Sequence, residues 1–564
     1  MENDKWKMEN ASKPLMLVSS IFHFPFSISH LSSGDQHGTF RKLISSIKSR
    51  PVLAVSAIAA VLSVAAFLYF FANGMTNVYG DGVAHLNIAR KVVDSPDDSL
   101  WRRYIQIGSP WLPLQTILML PLVANDWLWR TGVAGSIVSM LSFVIAAAAL
   151  FLLAREVFRG EEREWRTLLP LISVGIFLLN PSVLYMQSTP MAELIFMAAL
   201  VTAVYLLQRW VSEQTTRRLA VAAVGMAIAT LARYEAWPVA VLSILVVALS
   251  SVGHWNARVR SCALFAAIVT AGPIYWLWHN WAIYNNALEF LNGPNSARGV
   301  YLQNRSQLGW STVFVGHGAL DVLTMAVTAA VCAGPFVLLL GGVGFLRIGV
   351  DMRRNLLKIL PAMLLIVPFI FHVLSLYRGE IQVFPLSIFG MHNVRYGLPY
   401  LLPIALFAPA TILLFKNPAR RVAALAVCVI VVAQYGYLVS EGLSQLPIYQ
   451  EGYRSGVNSP SAREFSRVAE SLRTNPRQGR ILMHTGALGP LVSKGGLTFS
   501  EIIHEGTLRW HQVDDGIPAD IRTVIIQKDD PLDLRLRETP ALARDLVKFQ
   551  EELSVGSIKV FTRK

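Results

Sequence analysis

Charged side chains are scarce in this chain. Only 15% of its 564 residues are Asp, Glu, Lys or Arg, whereas 53% are hydrophobic, and the mean hydropathy is +0.45. A typical soluble domain carries about 25% charged residues. The composition therefore excludes an ordinary soluble protein. Apolar runs of roughly 16–25 residues recur along most of the chain, which predicts a polytopic α-helical membrane protein.

Cysteine is also rare, and this excludes two further classes of protein. The three cysteines, Cys262, Cys332 and Cys428, all lie inside apolar runs. A cysteine in such a run usually behaves as a small hydrophobic residue. The chain thus has neither a disulfide framework nor a CxxC metal site. The glycine-rich stretch 486–496 does not match the GxxxxGK[ST] phosphate-binding loop either.

Basic residues outnumber acidic residues, 50 to 36, which gives a net charge of +14. In a soluble protein this excess would indicate nucleic-acid binding. Here the basic residues fall mostly in short loops between apolar runs, where they fix the orientation of a membrane protein. We therefore predict membrane lipids as partners and no nucleic acid.

The loop charges predict about eleven transmembrane helices with a cytoplasmic N-terminus. Residues 1–50 end in a basic run and form a predicted cytoplasmic tail, so the first span, 51–73, leaves the cytoplasm. The later predicted spans are 131–154, 168–184, 191–208, 219–234, 236–252, 261–281, 321–346, 358–376, 397–415 and 421–440. An odd count places the C-terminal part outside. We expect localisation in a prokaryotic inner (plasma) membrane.

The predicted outer segments are longer than the cytoplasmic loops. They are 74–130, 282–320 and 377–396 within the transmembrane domain 51–440, and the polar region 445–564 after it. Within the first, Trp111–Val123 is apolar but too short to span, which predicts an interfacial helix. The C-terminal region alternates short apolar strands (480–484, 523–527 and 557–562) with helical stretches (461–473 and 539–553). This pattern predicts a small extracytoplasmic α/β domain.

One acidic residue follows the first span closely. Asp81 lies between Gly80 and Gly82, and His85, Ile88 and Ala89 then recur at helical spacing. Asp81 and His85 would therefore share one helix face. Two interpretations stand side by side: an N-cap aspartate followed by a surface histidine, or a reactive carboxylate at the membrane surface.

Other ionisable residues are predicted at the outer ends of spans, where charge is costly and tends to be functional. Glu193 opens the fourth span, although an acidic first turn is also ordinary helix chemistry. Arg233 and Glu235 lie between two short spans, where they can pair with each other. Arg395 and Tyr396 precede a late span. The outer segments add further candidate binding residues: Arg298, Arg305, Arg378 and His392.

Four short motifs together resemble a known family. They are YGDGVAHLNIAR (79–90), STPMAELIF (188–196), LARYEAWP (231–238) and HNVRYGLPYLLP (392–403). Their order and placement resemble the GT-C glycosyltransferases, in particular the branch of protein O-mannosyltransferases and the lipid A aminoarabinose transferase. The chain has Asp81-Gly82 where many relatives show paired acidic residues, which weakens the inference of a mannose donor or a protein acceptor.

The resemblance implies an enzyme that transfers a sugar, with inversion, from a polyprenyl-phosphate-linked donor to a lipid, glycan or protein acceptor on the extracytoplasmic face. It implies Asp81 as the catalytic base, Glu193 as a residue that binds substrate or supports that base, and Arg395 as a contact for the lipid phosphate. Guanidinium groups suit this last role because they bind phosphate bidentately and stay charged. No cofactor is obligatory, although Asp81, His85 and Glu193 offer ligands for a divalent cation. Arg298 and Arg305 could close over the donor or simply be exposed.

Two other functions fit parts of the pattern. A transporter or flippase for a lipid-linked sugar would use outer arginines in the same way, but it should show inverted repeats and polar breaks within spans. A non-catalytic scaffold would leave the outer charges unexplained. The enzyme and transporter hypotheses differ in whether Asp81, Glu193 and Arg395 converge on one site.

Overall fold

A computed structural model describes residues 50–97, 99–304, 314–386, 391–476 and 478–564. Most of these residues are helical, and a small sheet lies near the C-terminus. The predicted fold class, a polytopic helical membrane protein with a small C-terminal α/β domain, is confirmed. Residues Val55–Lys564 form one compact unit.

The helices vary widely in length. Those of the first half are α1 (Pro51–Ala72), α2 (Gly80–Val93), α3 (Leu100–Tyr104), α4 (Leu114–Val123), α5 (Asp126–Thr131), α6 (Val133–Val157), α7 (Trp165–Leu178), α8 (Pro181–Met186), α9 (Glu193–Glu213), α10 (Thr216–Thr230), α11 (Ala236–Ser250), α12 (Trp255–Val269) and α13 (Ala271–Tyr284). Those that follow are α14 (Glu289–Asn292), α15 (Ala297–Asn304), α16 (Gly318–Ala333), α17 (Pro335–Met363), α18 (Val367–Tyr377), α19 (Leu401–Phe407), α20 (Ala419–Leu438), α21 (Pro447–Gly456), α22 (Pro460–Thr474), α23 (Thr485–Lys494), α24 (Leu508–Gln512), α25 (Pro531–Glu538) and α26 (Pro540–Leu546).

Within the described residues, seven helical segments are long and apolar enough to cross a membrane, or up to eight if one bent pair counts as a span. The seven are Pro51–Ala72, Val133–Val157, Glu193–Glu213, Trp255–Tyr284, Ile359–Tyr377, Val394–Leu414 and Ala419–Leu438. The predicted count of eleven is not confirmed. Three predicted spans correspond to α7, α10 and α11, which have only 14 or 15 residues. At 1.5 Å per residue such helices are shorter than the roughly 30 Å hydrocarbon core.

The predicted span 321–346 is wrong as a single straight helix. It breaks between α16 and α17, whose axes differ by 112°. Gly334 at the break has φ +87°, and a Cβ there would lie 2.4 Å from Gln434 Cγ, so only glycine fits. Two side chains serve the backbone around the break: Asn180 Nδ2 donates to Cys332 O at 3.0 Å, and Phe336 N donates to Gln434 Oε1 at 3.3 Å. Such pairing is required because buried backbone groups need partners.

A five-stranded mixed sheet forms the centre of the C-terminal region. Its strands are β1 (Arg480–Met483), β2 (Ile502–Ile503), β3 (Ile521–Gln527), β4 (Phe549–Val555) and β5 (Ile558–Arg563). The order is β2-β1-β3-β5-β4; β1 is parallel to β2 and β3, and β5 is antiparallel to β3 and β4. The helix predicted at 539–553 is wrong beyond Leu546, because Phe549–Val555 pairs with β5 as a hairpin strand.

The sheet region shares its hydrophobic core with the segment that follows α1 in the helical part. Leu86 of α2 and Met119 of α4 belong to the same buried cluster as Val492 and Ile558. The predicted interfacial helix at 111–123 is present as α4, and it supplies part of this core. Helix α2, which carries Asp81, is thus packed between the membrane-spanning helices and the sheet.

Candidate active site

Asp81 lies in the first turn of α2. The helix begins at Gly80 after an extended Tyr79, and no side chain caps its N-terminus. The predicted N-cap role of Asp81 is therefore wrong, because Tyr79 occupies that position. The Asp81 side chain remains 43% exposed. Its carboxylate instead forms an ion pair with the Arg395 guanidinium.

Arg395 is the centre of a buried ionic cluster. It lies in a 3₁₀ segment, Val394–Tyr400, and only 7% of the residue is exposed. Its Nη2 donates to Asp81 Oδ2, its Nη1 donates to Glu451 Oε1 at 2.6 Å, and its Nε lies 3.1 Å from Glu193 Oε1. The other oxygen of Glu451 accepts from Val394 N at 2.8 Å. All three nitrogens of one guanidinium thus face carboxylates, which come from three distant parts of the chain.

Arg233 extends the cluster from the turn between α10 and α11. Its Nη1 lies 3.2 Å from Glu193 Oε1, and its Nε donates to Glu235 Oε1 at 2.8 Å. The Arg233–Glu235 pair is present as the sequence suggested, and Glu193 joins it to Arg395. Glu193 Oε1 contacts both guanidiniums, whereas Glu193 Oε2 is buried without a hydrogen-bond partner among the described residues.

A histidine and a tyrosine continue the cluster into the helices. His372 Nε2 lies 3.0 Å from Glu235 Oε1, and His372 Nδ1 lies 2.6 Å from the Tyr400 hydroxyl. Burial would raise the pKa of Glu235, but Arg233 and His372 lower it to about 2. Glu235 is therefore ionised, and a continuous series of polar contacts leads from Tyr400 to Asp81.

The ring of Tyr396 lies between charged and aromatic groups. The guanidinium carbons of Arg233 and Arg395 are 5.1 and 5.6 Å from its centroid, and His372 stacks on it at 5.1 Å. A guanidinium near an aromatic ring face gains electrostatic stabilisation. Tyr396 therefore helps to fix the distance between the two arginines.

His85 lies one helical turn after Asp81, as predicted, and it is buried against Trp111 at a ring distance of 4.6 Å. Burial lowers the pKa of His85, Asp81 opposes this shift, and the charges of Arg233 and Arg395 add to it; the resulting pKa is about 4. The imidazole is thus neutral near pH 7. Its Nδ1 has no hydrogen-bond partner among the described residues.

His392 lies at the edge of the same cluster. Its backbone pairs with Phe384 through two hydrogen bonds of 2.9 and 3.0 Å. Burial lowers its pKa and so does Arg395, while Asp81 acts in the opposite direction. His392 is therefore within electrostatic reach of the site.

Two of the remaining predicted binding residues, Arg298 and Arg378, do not join the cluster. The Arg378 side chain is 67% exposed and lies 3.9 Å from Glu380. Arg298 is exposed on α15. Arg305 lies outside the described residues. The loop arginines thus contribute no described contact to the ionic cluster.

The proposed cation ligands Asp81, His85 and Glu193 do not converge on one point. The Arg395 guanidinium lies between the Asp81 and Glu193 carboxylates and forms ion pairs with both. In the part of the chain that the structure describes, no group of three or more His, Cys, Asp or Glu is arranged to hold a metal ion. As they are placed, these three residues do not fit a metal centre.

Four members of the site were not predicted from the sequence: Glu451, His372, Tyr400 and Tyr79, whose ring centroid lies 5.3 Å from the Arg395 guanidinium carbon. Glu451 lies in the polar region that was assigned to the C-terminal domain, and His372 lies inside an apolar span. A lone histidine within a predicted span is a signal that charge-depth reasoning could have used. Glu451 has no such signal, because only the fold returns its helix to Arg395.

No protein-family model matches the chain, and no curated protein matches it. Several solved structures are similar to it. The Archaeoglobus fulgidus oligosaccharyltransferase in complex with Zn and sulfate is 11% identical over 90% of this chain and 73% of that chain, with a TM-score of 0.49. ArnT from Cupriavidus metallidurans bound to undecaprenyl phosphate is 13% identical over 89% of this chain and 97% of that chain, with a TM-score of 0.47. At these identities the likeness concerns the fold alone.

Proposed function

We propose that this chain is an integral-membrane glycosyltransferase. It would move a sugar from a polyprenyl-phosphate-linked donor to a lipid, glycan or protein acceptor on the extracytoplasmic face, with inversion and with Asp81 as the base. The observation that supports this most is the unequal exposure of the carboxylates on Arg395. Glu193 and Glu451 are 1% and 4% exposed, whereas the Asp81 side chain is 43% exposed.

Unequal exposure makes Asp81 the partner of Arg395 that a substrate group can replace. A phosphate oxygen that binds Arg395 Nη2 would compete with Asp81 alone, since the other two carboxylates are enclosed. Charge-assisted bonds from guanidinium to phosphate are strong. Once separated from the guanidinium, the Asp81 carboxylate has its oxygens free to accept a hydrogen bond from the acceptor hydroxyl. Donor binding would thus prepare the base.

The proposed transfer is a single displacement. The acceptor hydroxyl oxygen forms a bond to the anomeric carbon, and the bond from that carbon to the phosphate oxygen breaks. Its electron pair stays on the lipid phosphate, and the acceptor proton passes to Asp81. Arg395 stabilises the negative charge that accumulates on the leaving phosphate. Attack opposite to the leaving group gives inversion.

Glu193 has a supporting role in this scheme. One of its oxygens contacts both Arg233 and Arg395, so it restrains the two guanidiniums relative to each other. The carboxylate is too enclosed to receive an acceptor in the described arrangement. We therefore propose Glu193 as a positioning residue rather than a second base.

One observation favours the alternative of a transporter or flippase. The break between α16 and α17 interrupts an apolar segment, as in the discontinuous helices of transporters. Cys332, next to the break, donates to Val394 O at 3.2 Å, so the break adjoins the Arg395 segment. Vesicles containing the purified protein and a labelled lipid-linked sugar separate the two functions. Translocation without any new glycosidic bond would establish the transporter.

Asp81→Asn tests the proposed enzyme. The substitution keeps the shape and removes the proton acceptor, so turnover should fall by about 10²–10⁴-fold, the usual contribution of general-base catalysis. The assay is sugar transfer from labelled polyprenyl-phosphate sugars by purified protein in membranes. Transfer at the wild-type rate, from protein that accumulates normally, would remove Asp81 from the mechanism.

Asp126→Asn is the matched control. Asp126 also lies in the first turn of a helix, pairs with a buried arginine (Arg90, 2.6 Å) and is 56% exposed. Its loss should leave transfer per folded molecule unchanged. Equal losses in both variants would indicate that Asp81, like Asp126, serves only the stability of an arginine.

A further inference from the structure

Helix α21 brings the chain after the last span back to the segment that precedes Asp81. The Tyr79 hydroxyl donates to Ile448 O. A Cβ on Gly456 would lie 1.7 Å from Val78 O, so the two backbones touch directly. This contact fixes α21 against the start of α2.

Glu451 of α21 holds both the backbone and the side chain of the Arg395 segment. Its Oε1 accepts from Arg395 Nη1 at 2.6 Å, and its Oε2 accepts from Val394 N at 2.8 Å. The backbone N of Arg395 donates to the same Oε2 at 3.4 Å. A carboxylate that binds the main chain and the guanidinium together restrains both the position and the rotation of the arginine.

The need to neutralise the charge of Arg395 does not by itself explain why Glu451 is buried beside it. Arg395 already faces the carboxylates of Asp81 and Glu193. A further carboxylate, buried like Glu193, adds repulsion; burial and the charge of Glu193 raise the pKa of Glu451, although Arg395 opposes them. Burying an ionised group is costly unless excellent geometry compensates for it. The compensation here is geometric, because Glu451 engages a face of Arg395 that neither other carboxylate reaches.

We propose that Glu451 is a positioning residue for the transfer reaction: with Glu193 it fixes the Arg395 guanidinium so that only Nη2 faces Asp81 and the donor phosphate. The inference rests on the proposed glycosyltransferase function. It assigns to the C-terminal segment, through α21, a direct part in assembling the site. It also explains how the Arg395 guanidinium would keep its position when the donor phosphate replaces Asp81.

Glu451→Gln tests the proposal with two readouts. The amide keeps the shape but loses the charge that holds Nη1. Transfer should fall by about 10²-fold, the order that a 1 Å misplacement costs. Glu451→Asp keeps the charge on a shorter side chain and should fall less. In an Arg395→Lys background, Glu451→Gln should cost much less than in the wild type, since the two residues act as a unit.

The second readout does not depend on activity. In folded protein, arginine modification by phenylglyoxal, located by mass spectrometry, should increase at Arg395 in Glu451→Gln and stay low in the wild type. Should the wild type transfer no sugar, the proposed function falls, yet unchanged Arg395 reactivity in Glu451→Gln would still refute the positioning role. Additive losses in the double variant would also refute it.

Glu464→Gln is the control. Glu464 of α22 likewise accepts from a backbone N–H, that of Ser557 at 3.0 Å, but it contacts no arginine of the site. Both transfer and Arg395 reactivity should match the wild type. A loss equal to that of Glu451→Gln would mean that any weakening of the C-terminal region disables the enzyme, and the specific role of Glu451 would be lost.

Discussion

Two arginines in this protein are equally buried and differently used. Arg90 and Arg395 are each 7% exposed. Arg90 donates to the carbonyls of Val123 and Ala124, pairs with Asp94 and Asp126, and packs its guanidinium 4.7 Å from the Trp129 centroid. Arg395 bonds to no backbone carbonyl among the described contacts and faces three carboxylates.

The charge of the two surroundings differs as well. Near Arg90, two cations (Arg90 and Arg130) meet two carboxylates, so the cluster is balanced. Around Arg395 and Arg233, two cations meet the four carboxylates of Asp81, Glu193, Glu235 and Glu451. In or beside the second cluster, Glu193 Oε2 and His85 Nδ1 are buried without a hydrogen-bond partner among the residues that the structure describes. We therefore propose that unequal and incomplete pairing, rather than burial, distinguishes Arg395 as the arginine that binds substrate.

The largest effect is expected from Arg395→Lys, which tests the difference between Arg395 and Arg90. Lysine keeps the charge but lacks the planar fork that serves three partners. Transfer should fall by about 10²–10³-fold, the cost of losing a donor that stabilises developing charge. Melting temperature and kcat/KM on the labelled donor are the measurements. Wild-type kcat/KM in the lysine variant would place the phosphate contact elsewhere.

Most residues of this candidate site were predicted from the sequence, but as separate candidates and not as one cluster. Asp81, Glu193, Arg233, Glu235 and Arg395 all stood out because charge at the end of an apolar run needs a reason. Their grouping around one guanidinium could not be predicted, since it depends on how the spans pack. Glu451 could not be found at all, because in sequence it looks like one surface acid in a polar domain.

For the fold, as for the site, features set by the local sequence could be predicted, whereas features set by distant residues could not. Each span that was predicted from hydropathy corresponds to helical structure, because hydropathy is a property of the local sequence. The count of eleven from hydropathy is not confirmed. Hydropathy also missed the bend at Gly334, since a break depends on the partners Asn180 and Gln434. The strand Phe549–Val555 was mistaken for helix because its hairpin partner, and not its own pattern, determines its conformation.

Arg90→Lys should give the opposite result to Arg395→Lys. The carbonyls of Val123 and Ala124 would lose a donor, and each orphaned buried group costs about 1–3 kcal/mol. The variant should melt earlier but transfer sugar normally per folded molecule. Thermal unfolding in detergent and the transfer assay together check this. A selective loss of transfer, with unchanged stability, would make the two arginines equivalent.

Acid titration sharpens the comparison through His85. Its folded pKa of about 4 lies below the unfolded value of 6.5, so the unfolded chain binds the extra proton. Stability should therefore fall as the pH drops from about 6.5 to 4, by on the order of 1 kcal/mol for each pKa unit. His85→Asn should flatten the dependence of melting temperature on pH. Some slope should remain, because burial lowers the pKa of His504 to about 3 in the sheet region. An unaltered slope would contradict the burial of His85.

The smallest effects should come from the exposed arginines. Arg298→Ala and Arg378→Ala remove side chains that make no contact with the ionic cluster, so stability should change by less than about 0.5 kcal/mol. Donor KM should also stay near the wild-type value. A marked rise in donor KM with unchanged stability would show that these loops close over the substrate, as the sequence allowed.

The position of Glu451 in the chain has a consequence for biosynthesis. Helix α21 begins at Pro447, after the last helix long enough to span the membrane. A ribosome therefore releases the residue that completes the Arg395 cluster only when every span has already been made. Until α21 reaches Val78, a nascent or truncated chain lacks the Glu451 carboxylate that accepts from Arg395 Nη1. Each new molecule would thus become active only after its insertion is finished, and prematurely terminated products would remain inert in the membrane.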